Sequence, residues 1–135
     1  MTFKLTNAMA MLALLAMGTV VSAGCSEQCV DGTACACAGE TCELACESAT
    51  GGNCSLDCTD GATCKFDCPG GNCSVNCKGA KSCEVTCAGG GCGLNCSGGT
   101  EVCKITQCTQ ACGLTCGDAT TCSSSCDALS ACTKS

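Results

Sequence analysis

Twenty-three of the 135 residues are cysteine and none is histidine. Sulfur is therefore the main reactive element of this chain, and it can do two things: oxidise to disulfides, or hold soft metal ions as thiolates. Spacing separates the two. Thiolate metal sites favour close Cys-x-Cys or Cys-x-x-Cys pairs, of which the only example is Cys35-Ala-Cys37. Most of the cysteines instead sit in Cys-x-hydrophobic-x-Cys, as in Cys54-Ser-Leu-Asp-Cys58 and Cys64-Lys-Phe-Asp-Cys68. An apolar residue between two thiols suits burial and oxidation. The expectation is thus a disulfide scaffold with no metal and no cofactor, and copper or zinc storage by thiolates stands as an alternative.

Other chemistry finds little support. Redox exchange of the thioredoxin kind needs Cys-x-x-Cys, which does not occur. Ser123-Ser124-Ser125 has no base beside it to activate a nucleophile. Gly89-Gly90-Gly91 lacks the lysine and following helix of a phosphate cradle and reads as a turn. Asp57, Asp60, Asp67 and Asp118 are too scattered for a calcium loop. A net charge of −6 argues against nucleic acid as a partner, since phosphate binding needs a basic face. No catalytic residue is expected, and the chain is read as a non-enzyme.

The cysteines are placed by a repeat. From Cys54 the units run Cys54 to Asn72 and Cys73 to Gly91 at nineteen residues, then Cys92 to Ala111 and Cys112 to Ala131 at twenty, and a new unit opens at Cys132. A fixed period of this length marks a solenoid, in which each unit is one coil and its neighbours supply the burial. Residues 25–53 fit less cleanly: Cys42-Glu-Leu-Ala-Cys46 matches, but Thr33-Ala-Cys35-Ala-Cys37 has threonine at the first cysteine position. They are read as irregular N-terminal capping coils ahead of regular coils over residues 54–135.

Alternate side chains of an extended strand share a face, so Cys54, Leu56 and Cys58 point inward together. A five-residue run is too short for a stable helix, and Gly-rich turns such as Pro69-Gly70-Gly71 follow each one. The expected fold is all-β: a two-sided parallel β-solenoid with two short strands per coil. One sheet, A, turns Leu56, Val75, Leu94 and Leu114 inward. The other, B, turns Leu44, Phe66, Val85 and Ile105 inward until Ser124 interrupts it. The outward positions test this register independently. On sheet B they hold Glu43, Lys65, Glu84 and Lys104, alternating in sign at the ~4.8 Å strand spacing.

Geometry then pairs the sulfurs. Two cysteines four residues apart on one strand are about 13 Å apart, whereas a bridge needs Cα atoms within roughly 7 Å. The last cysteine of one strand and the first of the next face each other across a turn. This rule gives Cys37–Cys42, Cys46–Cys54, Cys58–Cys64, Cys68–Cys73, Cys77–Cys83, Cys87–Cys92, Cys96–Cys103, Cys108–Cys112, Cys116–Cys122 and Cys126–Cys132, with Cys29–Cys35 as a less regular eleventh pair and Cys25 left over. Bridges between coils, such as Cys54 to Cys73, are the rival connectivity.

The N-terminus reads as an export signal: Lys4 is basic, Ala8 to Val21 is apolar, and Val21-Ser22-Ala23 is a small-residue cleavage site closing a signal peptide over residues 1–23. Export admits disulfides. Ser22-Ala23-Gly24-Cys25 also resembles the bacterial lipobox, with serine where leucine is usual. That resemblance implies removal of residues 1–24 and acylation of Cys25, which would then be the sole membrane attachment.

In plan, the repeat from Cys42 to Cys132 resembles the small disulfide-stapled β-solenoids, the beetle antifreeze proteins among them. Those bind ice through flat Thr-x-Thr arrays, whereas here sheet A presents Ser55 with Asp57, Ser74 with Asn76, Gly93 with Asn95, and Gly113 with Thr115. The functional expectation is a secreted or cell-surface structural or adhesive module. Ice or crystal-surface binding by Ser55, Asp57, Ser74, Asn76, Asn95 and Thr115 is the alternative. Open end coils also allow end-to-end self-association.

Overall fold

A computed structural model describes residues 29–30, 34–47, 52–126 and 133–135. Among them every regular element is a β-strand. Short runs of alternating inward and outward residues form each strand, and the burial of β6, eBeBe along Ser-Val-Asn-Cys-Lys, follows that alternation. Sheet A consists of β2 (Ala34–Ala38), β4 (Ser55–Thr59), β6 (Ser74–Lys78), β8 (Gly93–Ser97), β10 (Gly113–Thr115) and β12 (Thr133–Lys134), adjacent in that order. Sheet B consists of β1 (Cys29–Val30), β3 (Thr41–Glu47), β5 (Thr63–Asp67), β7 (Ser82–Thr86), β9 (Val102–Cys108) and β11 (Thr121–Cys126). All neighbouring strands are parallel, each paired with its counterpart one coil away. The chain is a two-sided parallel β-solenoid.

The interior is two ladders wide. In sheet A, Leu56 pairs with Val75, Val75 with Leu94, and Leu94 with Leu114. In sheet B the rungs run Leu44, Phe66, Val85, Ile105. Leu56, Val85 and Ile105 are completely buried, and burying an aliphatic side chain of this size contributes roughly 1.5–3 kcal/mol. Small side chains line the turn from sheet A to sheet B, where Ala62, Ala80 and Thr100 are also buried. Thr100 is a polar residue in an apolar place. Its hydroxyl lies 2.9 Å from the Ser97 carbonyl and 3.1 Å from the Cys77 carbonyl, which satisfies it.

Ten disulfides pin the described coils, and each crosses a turn between the two sheets. They form two columns. Cys37–Cys42, Cys58–Cys64, Cys77–Cys83, Cys96–Cys103 and Cys116–Cys122 close the turns from A to B. Cys29–Cys35, Cys46–Cys54, Cys68–Cys73, Cys87–Cys92 and Cys108–Cys112 close those from B to A. Cα separations run from 5.8 Å at Cys116–Cys122 to 6.5 Å at Cys77–Cys83, inside the range a disulfide spans. Nine of these are pairs that the turn rule predicts, the tenth is the less regular pair Cys29–Cys35, and none of the ten joins neighbouring coils. Closing a loop of about six residues is worth about 2 kcal/mol on the chain-entropy account. Cys126 is also disulfide-bonded; Cys132, with which the rule pairs it, lies outside the described residues, as do Cys25 and the signal segment.

Two details depart from the simplest repeat. The stretch ahead of Cys54, expected to be irregular, contributes β2 and β3 in full register: Cys37 pairs with Cys58, Cys42 with Cys64, and Leu44 with Phe66. Cys35 stands on the rung of Leu56, so a half-buried sulfur bonded to Cys29 replaces an aliphatic group there. In β9 the cysteines are five residues apart instead of four, and Gln107 takes up the extra residue with a φ of 53°. A bulge between Ser124 and Cys126 restores the register in β11.

Candidate interaction faces

Each sheet offers one broad outward face. On sheet A all six residues expected to form a binding face fall on adjacent rungs. Ser55 pairs with Ser74, and Asp57, Asn76, Asn95 and Thr115 follow one another in a single file. Ser55 is half-buried and the other five are exposed. Asn76 donates to Asp57 across the rung at 3.3 Å. Two further members of the file were not anticipated: Ala36, opposite Asp57, and Ser135, whose hydroxyl lies 3.5 Å from that of Thr115. Ala36 was within reach of the sequence, because it sits one residue before Cys37 as Asp57 sits before Cys58.

Beside the polar file, Gly93 and Gly113 leave bare backbone, and a Cβ added at either would meet nothing within 4 Å. Around these glycines the sheet A face is therefore low and open. No side chain along the Asp57 to Thr115 file is longer than an asparagine, and the exposed Lys78 of β6 stands at the next outward position, between Thr59 and Ser97.

Sheet B is different in chemistry. Glu43 pairs with Lys65, Lys65 with Glu84, and Glu84 with Lys104. The side chains settle into two ion pairs, Lys65 to Glu43 at 3.1 Å and Lys104 to Glu84 at 2.9 Å. Next to them the hydroxyls of Thr86 and Thr106 meet at 3.3 Å. Between the charged file and the file of Ala45, Asp67 and Thr86 runs a shallow open groove of about 500 Å³.

The sulfurs form two close clusters. Sγ atoms of Cys46, Cys68 and Cys73 lie within 4.8 Å of one another, as do those of Cys58, Cys64 and Cys83. Every one of these six cysteines belongs to a disulfide, and a metal needs the thiolate. The clusters are the places where the bridges of neighbouring coils touch. Ser123, Ser124 and Ser125 lie on the exposed last strand of sheet B. Among the described residues no helix is long and apolar enough to cross a membrane. No protein-family model matches this chain, and no curated protein or solved structure is found to be similar to it.

Proposed function

We propose that this chain is an exported, non-catalytic module that serves outside the cell or at its surface as a rigid structural or adhesive element. The observation that carries the reading is the double column of turn-crossing disulfides, which ties each described coil to itself with the sulfurs of its strands consumed. Such density of bridges fits an oxidising compartment, and the apolar segment with the small-residue site before Gly24 supplies a route there. If the chain is lipid-anchored, Cys25 carries the acyl group; if it is simply cleaved, the mature protein is secreted.

The test is thiol alkylation and intact mass on the protein recovered separately from medium and membrane fractions. We expect at most one alkylatable cysteine, and an acyl mass increment if the membrane fraction holds it. Several free thiols together with bound copper or zinc would replace this reading with metal storage. Trypsin gives a second readout: Lys65, Lys78, Lys81 and Lys104 lie in stapled coils, so cleavage there should require prior reduction.

The flat file on sheet A supports a second reading, adsorption to an ordered solid surface such as ice or a crystalline polysaccharide. The space above Gly93 is open, so Gly93→Lys raises a charged post on this face without disturbing the coil. Loss of ice-recrystallisation inhibition or of polysaccharide adsorption in Gly93→Lys supports the surface reading. Absence of either activity in the unaltered protein removes it.

A further inference from the structure

Asparagine is followed two residues later by serine at three places: Asn53-Cys54-Ser55, Asn72-Cys73-Ser74 and Asn95-Cys96-Ser97. Asn-x-Ser, with x other than proline, is the acceptor pattern for N-linked oligosaccharide in exported chains. So short a pattern also arises by chance, and position in the fold separates the two cases. All three asparagines are exposed, and all three stand on one flank. Asn53 and Asn72 occupy the corner just ahead of β4 and β6, and Asn95 lies within β8, so three consecutive strands of sheet A have one each.

The corner asparagines have a plainer use, since φ is 65° at Asn53 and 55° at Asn72, a conformation that asparagine tolerates. That use needs no serine. Yet two residues on, serine is present where the corner is asparagine, at Ser55 and Ser74, and glycine where it is not: Gly93 follows Gly91, and Gly113 follows Ala111, all four on one file of sheet A. Where the corner loses its asparagine, Asn95 and Ser97 restore the pattern on the outward face of β8.

We infer that Asn95, and with it Asn72 and Asn53, accept N-linked oligosaccharide, an inference that rests on the export reading above. In the transfer the asparagine amide nitrogen bonds to the anomeric carbon of an oligosaccharide carried on a lipid pyrophosphate. The bond from that carbon to the pyrophosphate oxygen breaks, the lipid pyrophosphate leaves, and the amide gives one proton to a base of the transferase. The order of bridge closure favours Asn95. Its neighbour Cys96 waits for Cys103, seven residues later, whereas Cys54 and Cys73 find their partners Cys46 and Cys68 already exported. A glycan there has room, because Asn76 and Thr115 beside it are short and the space above Gly93 is open. Once occupied, the three sites cover the sheet A flank, keep that face from lying against a flat solid, and leave the charged face of sheet B as the contact surface.

The experiment takes the full chain from the medium and the membranes of the cells that make it and treats it with peptide N-glycosidase in heavy-oxygen water, which turns each glycosylated asparagine into labelled aspartate. Intact mass should fall, and peptide mapping should find the label at Asn95 most fully, then at Asn53 and Asn72. Ser97→Ala keeps the asparagine and changes only an exposed side chain; it should lose the label at Asn95 and retain it at the other two. Oxidised chain that is bare at Asn95 in either fraction overturns the inference and leaves the export reading intact. Both fall if the chain stays inside the cell, bare and with free thiols. Label persisting at Asn95 in Ser97→Ala also overturns the inference, since the hydroxyl would then play no part.

Discussion

Cys64 and Cys83 are directly opposed on neighbouring strands of sheet B, yet neither is bonded to the other: Cys64 is bonded to Cys58 and Cys83 to Cys77. Adjacent parallel strands run ~4.8 Å apart, so an inter-coil bridge would also be within reach at this place. Turn closure and coil-to-coil closure compete for the same sulfurs. The native arrangement staples each coil to itself and leaves the hydrogen-bonded ladders to join one coil to the next.

Proximity makes the competing bridge accessible by exchange. A small thiolate such as dithiothreitol that opens Cys77–Cys83 and frees the Cys83 thiolate places it within 4.8 Å of both sulfurs of Cys58–Cys64. Attack on the Cys64 sulfur forms Cys64–Cys83 and releases the Cys58 thiolate, with no net change in oxidation. Limited reduction, rapid alkylation and non-reducing peptide mapping should reveal peptides joined through Cys64 and Cys83. A time course containing only the Cys58–Cys64 and Cys77–Cys83 pairs would show that the coils hold their sulfurs apart.

Gly71 is tested by its neighbour in the next coil. Its φ is +79°, and a Cβ there would lie 2.3 Å from the carbonyl oxygen of Gly90. Gly61 has nearly the same backbone, with φ at +75°, but open space where the Cβ would go. Gly61→Ala should cost about 1–2 kcal/mol for the left-handed conformation alone. Gly71→Ala adds a clash between stacked turns and should cost roughly 2 to 5 kcal/mol. Guanidinium unfolding of the oxidised proteins, followed by circular dichroism, gives the difference; equal costs would mean that the turns are not in close contact.

Much of the architecture was legible because one device repeats. Cys-x-hydrophobic-x-Cys marks the strand, its inward face and both corners at once, so Leu56, Phe66 and the turn pairs such as Cys58–Cys64 follow from alternation and reach. The sign order of Glu43, Lys65, Glu84 and Lys104 was legible for the same reason. Lys134 is readable in the same way, standing two residues after Cys132 as Leu114 stands two after Cys112. Other features were not written in any local pattern. The need for Gly71 arises from a carbonyl nineteen residues away, and the hydroxyl of Thr100 finds its partners only once the coil has closed. The candidate faces are legible as outward positions, because strand alternation alone decides which side chains leave the core.

The two ion pairs on sheet B should differ in strength in a way that burial sets. Lys65 and Glu43 have side chains 59% and 70% exposed, while Lys104 and Glu84 are at 44% and 35%. Exposed pairs are typically worth ~0.2–1 kcal/mol, and the less hydrated pair belongs at the upper end. Double-mutant cycles with alanine at Glu84 and Lys104, and separately at Glu43 and Lys65, should give the larger coupling to the first. Both couplings should shrink in about 1 M salt, where the screening length falls to ~3 Å. Lys65→Glu is the sharper probe, because it sets carboxylates on three successive rungs between residues 43 and 84, and like charges directly opposed on neighbouring strands repel. It should lower stability by more than Lys65→Ala at low salt and converge with it at high salt. Equal effects at both salt concentrations would mean that the alternating file plays no part in holding the coils in register.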